Sequence, residues 1–168
     1  MPSHTPGALH VRPATAADAP ALAALRWEFR ARLGPTDETE PAFLERCTAW
    51  MRDRLTAGDA WRAWVAERGG DIVGTIWVGR VEKMPNPTPE PEAHAYVTNV
   101  YVRAEARGGG IGTRLLEAAL AWCETAGVHA AILWPTRRST PFYQRYGFAH
   151  PDALLEREFG PGPDRDAD

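Results

Sequence analysis

Residues 107–113 read Arg107-Gly108-Gly109-Gly110-Ile111-Gly112-Thr113, and an apolar pattern at helical spacing follows at once. Glycine this dense supplies nothing to pack and raises the entropy lost on folding, so the backbone there must turn or pass where side chains do not fit. The amides that open a helix lack partners within it and lie at the positive end of its dipole. A glycine turn feeding such a terminus forms a concave nest of N–H groups, and the chemistry it suits is phosphate binding. Three phosphate signatures compete. The P-loop fails because no Lys-Ser or Lys-Thr follows the glycines. The dinucleotide fingerprint G-x-G-x-x-G fails because the sixth position from Gly108 is Thr113, and from Gly110 it is Leu115. The spacing that fits is R-x-x-G-x-G, met by Arg107, Gly110 and Gly112.

These residues need elements to hold them. "LHVRPA" reads as a first strand, followed by a capping-box-like start at Thr15 and Asp18. The helix after it carries Leu22, Leu25, Phe29 and Leu33 on one apolar face. A second helix, from about Pro41 to Ala57, has Phe43, Cys47, Trp50 and Met51 as its expected buried stripe. Two β-branched and aromatic runs flank Gly69-Gly70-Asp71, a hairpin signal. "PNPTPEPE" is an extended surface loop, and "AHAYVTNVYVR" a further strand. A helix over about 110–126 carries Ile111, Leu115, Ala118, Trp122 and Ala126, with Gly127 ending it. "HAAILW" is a strand, "STPFYQRYGF" a short helix with Ser139 or Thr140 at its N-cap, and "ALLEREF" a last strand. The order predicts an α/β fold with a mixed, mostly antiparallel central sheet of six to seven strands and flanking helices. The one parallel crossover runs from 95 to 134.

The chain has 168 residues, 44% hydrophobic and 24% charged, the balance of one soluble domain. A net charge of −3 argues against a nucleic-acid surface. Cys47 and Cys123 fit no metal or redox spacing, so no metal is expected. No apolar run is long enough to span a membrane, and "MPSHTPGALH" has no signal-peptide pattern, so a cytoplasmic protein is the expectation. Residues 1–7 and 160–168 are expected to be disordered.

"TNVYVRAEARGGGIGTRLL" resembles motif A of the GNAT acetyltransferases, a superfamily that uses acetyl-coenzyme A, and "PFYQRYGF" resembles its motif B. The hairpin "ERGGDIVGTIWV" resembles the segment before motif A. The likeness covers residues 8–159 as a single domain. It implies attack of an acceptor amine on the acetyl thioester within a ternary complex. It implies that the amides of Gly108, Gly109, Gly110, Ile111, Gly112 and Thr113 hold the pyrophosphate, with Arg107 framing the turn. In the family, the motif A strand splays from its neighbour at a bulge and pairs with the pantetheine arm. That role falls on Val100, Tyr101 and Val102, with the Val100 N–H at the thioester oxygen. Tyr143 matches the motif B tyrosine that protonates the leaving thiolate. Many members carry an asparagine where this chain has Thr136, and Thr136 and Ser139 are the expected cofactor contacts beside it. Arg137 and Arg138 follow on the same loop as candidates for the nucleotide phosphates.

The acceptor site in the family lies on the first two helices and the strand loops. Arg26, Trp27 and Asn99 are the candidates for it here. Trp27 either lines that pocket or packs on the second helix, and Asn99 either marks the bulge or meets the acceptor. Candidate bases are His94, Glu82 and Glu28, with water as the alternative. The expected function is acetyl transfer to a small-molecule amine. A protein or peptide acceptor and a non-catalytic acyl-CoA-binding domain are the other readings. A homodimer is common in the family.

Overall fold

The computed structural model describes residues 7–160; the expected disordered termini lie outside them except for Gly7 and Gly160. The chain divides into two compact units, Met1–Leu133 and Trp134–Asp168.

The first unit is built on a five-stranded sheet in the order β1-β2-β3-β4-β5. Its strands are β1 (Leu9–Pro13), β2 (Trp61–Arg68), β3 (Asp71–Glu82), β4 (Ala93–Val102) and β5 (Ala131–Ile132). The first four pair antiparallel and β4 pairs parallel with β5, so the sheet is mixed and mostly antiparallel. Gly69 and Gly70, at φ 61° and 90°, form the two-residue turn between β2 and β3. Both central residues then sit at positive φ, the turn whose twist matches the flanking strands.

Helices cover both faces. On one lie α1 (Ala19–Ala31) and α2 (Glu40–Ala57), where Ala19, Leu22, Ala23 and Met51 pack against Ala63, Val65 and Trp77. On the other lies α3 (Ile111–Thr125), whose Trp122 meets Trp64 at 6.0 Å and whose Leu115 closes on Gly74. Two-sided coverage explains why Ala63–Ala66 of β2 are all buried, where an antiparallel strand with one wet face would alternate. The start of α1 is locked by Asp18, which accepts from the Thr15 amide at 2.7 Å and from Arg12 at 2.8 and 2.9 Å. Arg12 also reaches Glu67 at 3.1 Å, tying β1, α1 and β2 together.

In the second unit, α4 spans Thr140–Gln144, with Pro141 in its first turn, and Gly147 follows at φ 83°. The expected strand at "ALLEREF" does not form: residues 153–159 are exposed and outside any strand. Adjacent Leu154 and Leu155, followed by Glu156, Arg157 and Glu158, lack the alternation that gives a strand one apolar face. "HAAILW" is a strand only at Ala131–Ile132. The described sheet therefore has five strands, not six or seven.

The helical stripes also shift. On α3 the buried residues are Ile111, Leu115, Leu116, Ala119 and Cys123, so Ala118, Trp122 and Ala126 sit at the margin. On α2 only Met51 is buried. Phe43 and Cys47 are half-buried and Trp50 is 39% exposed, because this face borders a pocket instead of closing on the core.

Candidate functional site

The site is organised by β4. Between Thr75 and Trp77 of β3 the register with β4 slips: Thr75 faces Tyr101, but Trp77 faces Thr98. Thus Asn99 and Val100 together oppose Ile76, which is a β-bulge. Asn99 sits at φ 51°, a conformation asparagine tolerates better than most residues. The extra residue changes which way the strand faces. Ala95 donates its N–H to Ala130, toward the β5 side, whereas Arg103 donates to Val73 of β3. By the alternation of an antiparallel ladder, Tyr101 turns its backbone to Thr75, while Val100 and Val102 turn theirs to the opposite edge. Pairing with β5 covers only Ala95 and Tyr96, so β4 and β5 part beyond them. Of the three residues expected to offer backbone at this edge, Val100 and Val102 do; Tyr101 instead buries its ring, stacked on Phe29 at 5.4 Å.

The glycine turn continues from that edge. Arg107 folds back so that its Nε donates to the Val102 carbonyl at 3.0 Å. Gly108 and Gly110 hold φ 84° and 70°, and Gly110 is the N-cap of α3. Here the structure redistributes the glycines: Gly108, which the motif leaves open, needs its left-handed backbone as much as Gly110 does. Among the described residues, none of the amides from Gly108 through Thr113 donates to a protein acceptor. Six N–H groups at the positive end of a fifteen-residue helix are thereby left for an anion.

On the α1/α2 side of β4 lies a pocket of about 370 Å³. Its floor is Trp61 of β2, Trp77 of β3 and Tyr96, Thr98 and Asn99 of β4. Arg26 of α1 and the Phe43, Cys47 and Trp50 face of α2 form the walls. The indoles are mutually packed, Trp50 to Trp61 at 5.3 Å and to Trp77 at 5.9 Å. Gly79 makes room for this: a Cβ there would stand 3.0 Å from the Trp61 ring. Arg26 donates to the Asn99 Oδ1 at 3.3 Å, joining α1 to the bulge. Burial lowers the pKa of its guanidinium, and the neighbouring Arg30 adds to the effect.

Of the residues expected at the acceptor, Arg26 and Asn99 line this pocket. Trp27 does not; it packs on Phe43 of α2 at 5.5 Å. The candidate bases are elsewhere too. Glu28 is held by Arg103 at 2.7 Å, Glu82 pairs with Arg80 at 2.8 Å, and His94 packs edge-on to His129. Sequence reading missed Trp61 and Trp77, weighed Tyr96 and Thr98 only as positions that match a base in some relatives, and took Phe43, Cys47 and Trp50 as core. The one local signal was Gly79 in the register position opposite Trp61.

In the second unit, Tyr143 is buried on α4 beside Phe142 and Phe148, with ring centroids 5.0 and 5.8 Å away. Burial pushes its phenol up to about 12, so it holds its proton at neutral pH. Thr136 and Ser139 bond to each other, hydroxyl to hydroxyl at 3.0 Å and each amide to the other's hydroxyl, fixing the turn into α4. Arg137 and Arg138 are exposed.

A family profile, acetyltransferase (GNAT) family, matches residues 22–148. The chain belongs to the GNAT family of acetyltransferases. A GCN5-related N-acetyltransferase from Ralstonia eutropha is 27% identical, with a TM-score of 0.74 over 91% of this chain and 100% of that one. A predicted acetyltransferase from Clostridium acetobutylicum, solved with acetyl-CoA, is 23% identical, with a TM-score of 0.75 over 90% and 96%. Glucosamine-6-phosphate N-acetyltransferase from Arabidopsis thaliana shares the fold at 21% identity, with a TM-score of 0.63 over 91% and 99%. No curated protein matches the chain. Among the described residues no helix is long and apolar enough to cross a membrane.

Proposed function

We propose that residues 8–159 form a GNAT domain that transfers the acetyl group of acetyl-CoA to the amine of a small molecule by direct attack. The observation that carries this reading is the run of six undonated amides, Gly108 to Thr113, continuous with the parted edge of β4. Those amides take the pyrophosphate, and Arg107 steadies the turn through Val102. Val102 and Val100 offer backbone to the pantetheine arm. As the amine attacks the thioester carbon, the Val100 N–H donates to the oxygen that gains charge. The carbon–sulfur bond breaks, and Tyr143 gives its proton to the leaving thiolate; its motif position and raised pKa both favour the acid form. The described pocket lining contains no histidine, aspartate or glutamate, and we assign the amine's own proton to water.

A small acceptor is favoured over a protein because the pocket is bounded by two helices and three strands. Thermal shift with acetyl-CoA, CoA and ATP separately, followed by thiol release against a panel of amines, tests the proposal. Stabilisation by acetyl-CoA and CoA with turnover of a small amine is expected. Stabilisation by ATP alone, or turnover confined to peptides, would overturn it.

A further inference from the structure

The acceptor pocket is rich in donors and aromatic faces and carries no carboxylate. Four other arginines of the first unit have acidic partners: Arg12 with Asp18, Arg46 with Glu38, Arg80 with Glu82 and Arg103 with Glu28. Arg26 does not. It is half-buried in the wall, and its hydrogen-bond partner among the described residues is the neutral Asn99. A cation withdrawn from water without a counterion is costly unless something supplies one. Arg46 also borders the pocket, but Glu38 already neutralises it at 2.6 Å. The unmatched charge therefore belongs to Arg26. Accepting from Arg26 also leaves the Asn99 amide NH₂ free to donate to the same anion. Around these donors stand Trp50, Trp61 and Tyr96, faces that suit a flat apolar body.

Such a lining repels a polycation. The repulsion comes from the charge of Arg26, and the lining offers no carboxylate to offset it. Position adds a further constraint. Asn99 is the residue before Val100, so an anion held at Arg26 and Asn99 stands beside the residue whose amide is assigned to the thioester. The attacking nitrogen and the anion must then be close together in the acceptor.

We infer that the acceptor is an α-amino acid-like molecule with a large aromatic or apolar side chain, its anionic group held by Arg26 and Asn99 and its side chain stacked among the tryptophans. The inference rests on the acetyltransferase reading for its chemistry, but the binding site can be tested without turnover. The anion is a carboxylate or its phosphonate counterpart, which present the same charge to the guanidinium.

The test uses the full chain in two measurements. The first titrates L-phenylalanine, its phosphonate analogue and phenethylamine in the presence of CoA, following tryptophan fluorescence excited where phenylalanine does not absorb. The second compares thiol release from acetyl-CoA with phenylalanine, tryptophan, phenethylamine, spermidine and kanamycin. Phenylalanine or its phosphonate should bind at least tenfold more tightly than phenethylamine; whichever binds better identifies the natural anion. Arg26→Leu should weaken binding about 30-fold and Arg26→Lys less, whereas Arg30→Leu should leave it unchanged. Equal binding of phenethylamine and phenylalanine, or binding insensitive to Arg26→Leu in a variant that still melts cooperatively, would overturn the inference. Turnover of spermidine or kanamycin above the amino acids would also overturn it while leaving the acetyltransferase reading standing. Anion-dependent fluorescence binding without thiol release would keep the pocket assignment and sink the acetyltransferase reading instead.

Discussion

The parted edge of β4 and the pocket beside the same strand differ in what they are made of. The edge and its glycine turn present backbone: the amides of Val100, Val102 and Gly108 through Thr113. The pocket presents side chains from α1, α2, β2, β3 and β4. Backbone groups are identical in every residue, so a backbone site depends on conformation and tolerates substitution wherever φ and ψ are kept. A side-chain site depends on identity at positions scattered through the sequence. The first kind suits a ligand shared across a family, and the second a ligand that varies between members.

That division can be broken in graded steps. The largest effect should come from Tyr143→Phe, which removes the proposed acid and leaves both binding surfaces alone. We expect kcat to fall about 100-fold with acetyl-CoA affinity nearly intact, read by steady-state kinetics and calorimetry. An unchanged kcat would remove Tyr143 from the chemistry. Next, Gly110→Val puts a β-branched side chain at φ 70°, where the strain is about 1–3 kcal/mol. Acetyl-CoA binding should weaken about tenfold while the Kd of the acceptor hardly moves; if both shift equally, the two surfaces are not separable. Gly79→Ala works in the opposite sense. Its Cβ would press the Trp61 ring into the pocket from 3.0 Å, raising the acceptor KM about threefold with no change in acetyl-CoA affinity.

The smallest functional effect belongs to Asp18→Asn, far from both surfaces. Arg12 holds the Asp18 carboxyl below its ordinary value, with help from the Thr15 amide. A depressed carboxyl stabilises the fold above its unfolded pKa, and that stability is lost as pH falls through the folded value. Asp18→Asn should therefore lower stability by about 1–2 kcal/mol at pH 7, and the gap to wild type should close in acid below about pH 4, with neither KM altered. Chemical denaturation at several pH values reads this directly.

The same division explains what was legible in the sequence. The glycine turn was readable because a conformation confined to one loop leaves its requirement in consecutive residues. The Thr15/Asp18 start of α1 and the Gly69-Gly70 turn were readable for the same reason, whereas the bulge was implied by the family resemblance, and marking it was one of two readings of Asn99. The pocket was not. Periodicity along α2 shows that Phe43, Cys47, Trp50 and Met51 share a face, but not whether that face meets protein or a cavity. Trp27 points away from the Leu22/Leu25 stripe, which left it either at the pocket or on the second helix; α2 supplies Phe43 as its partner, so the second holds. The end of the chain misled in another way. "ALLEREF" has strand-forming residues without the alternation that anchors a strand, and composition outweighed pattern in reading it.

The single extra residue in β4 has an evolutionary corollary. Before Asn99 the strand's side chains line the pocket, and after it its main chain faces the parted edge; under the proposed function the first meets the acceptor and the second the shared donor. Substitutions at Tyr96 and Thr98 can retune one specificity without touching the other, so the two halves of the strand are free to evolve at different rates. A one-residue deletion at the bulge would put the whole downstream strand out of phase. The site should thus accept many amino-acid replacements across its lineage and almost no change in length between Thr98 and Tyr101.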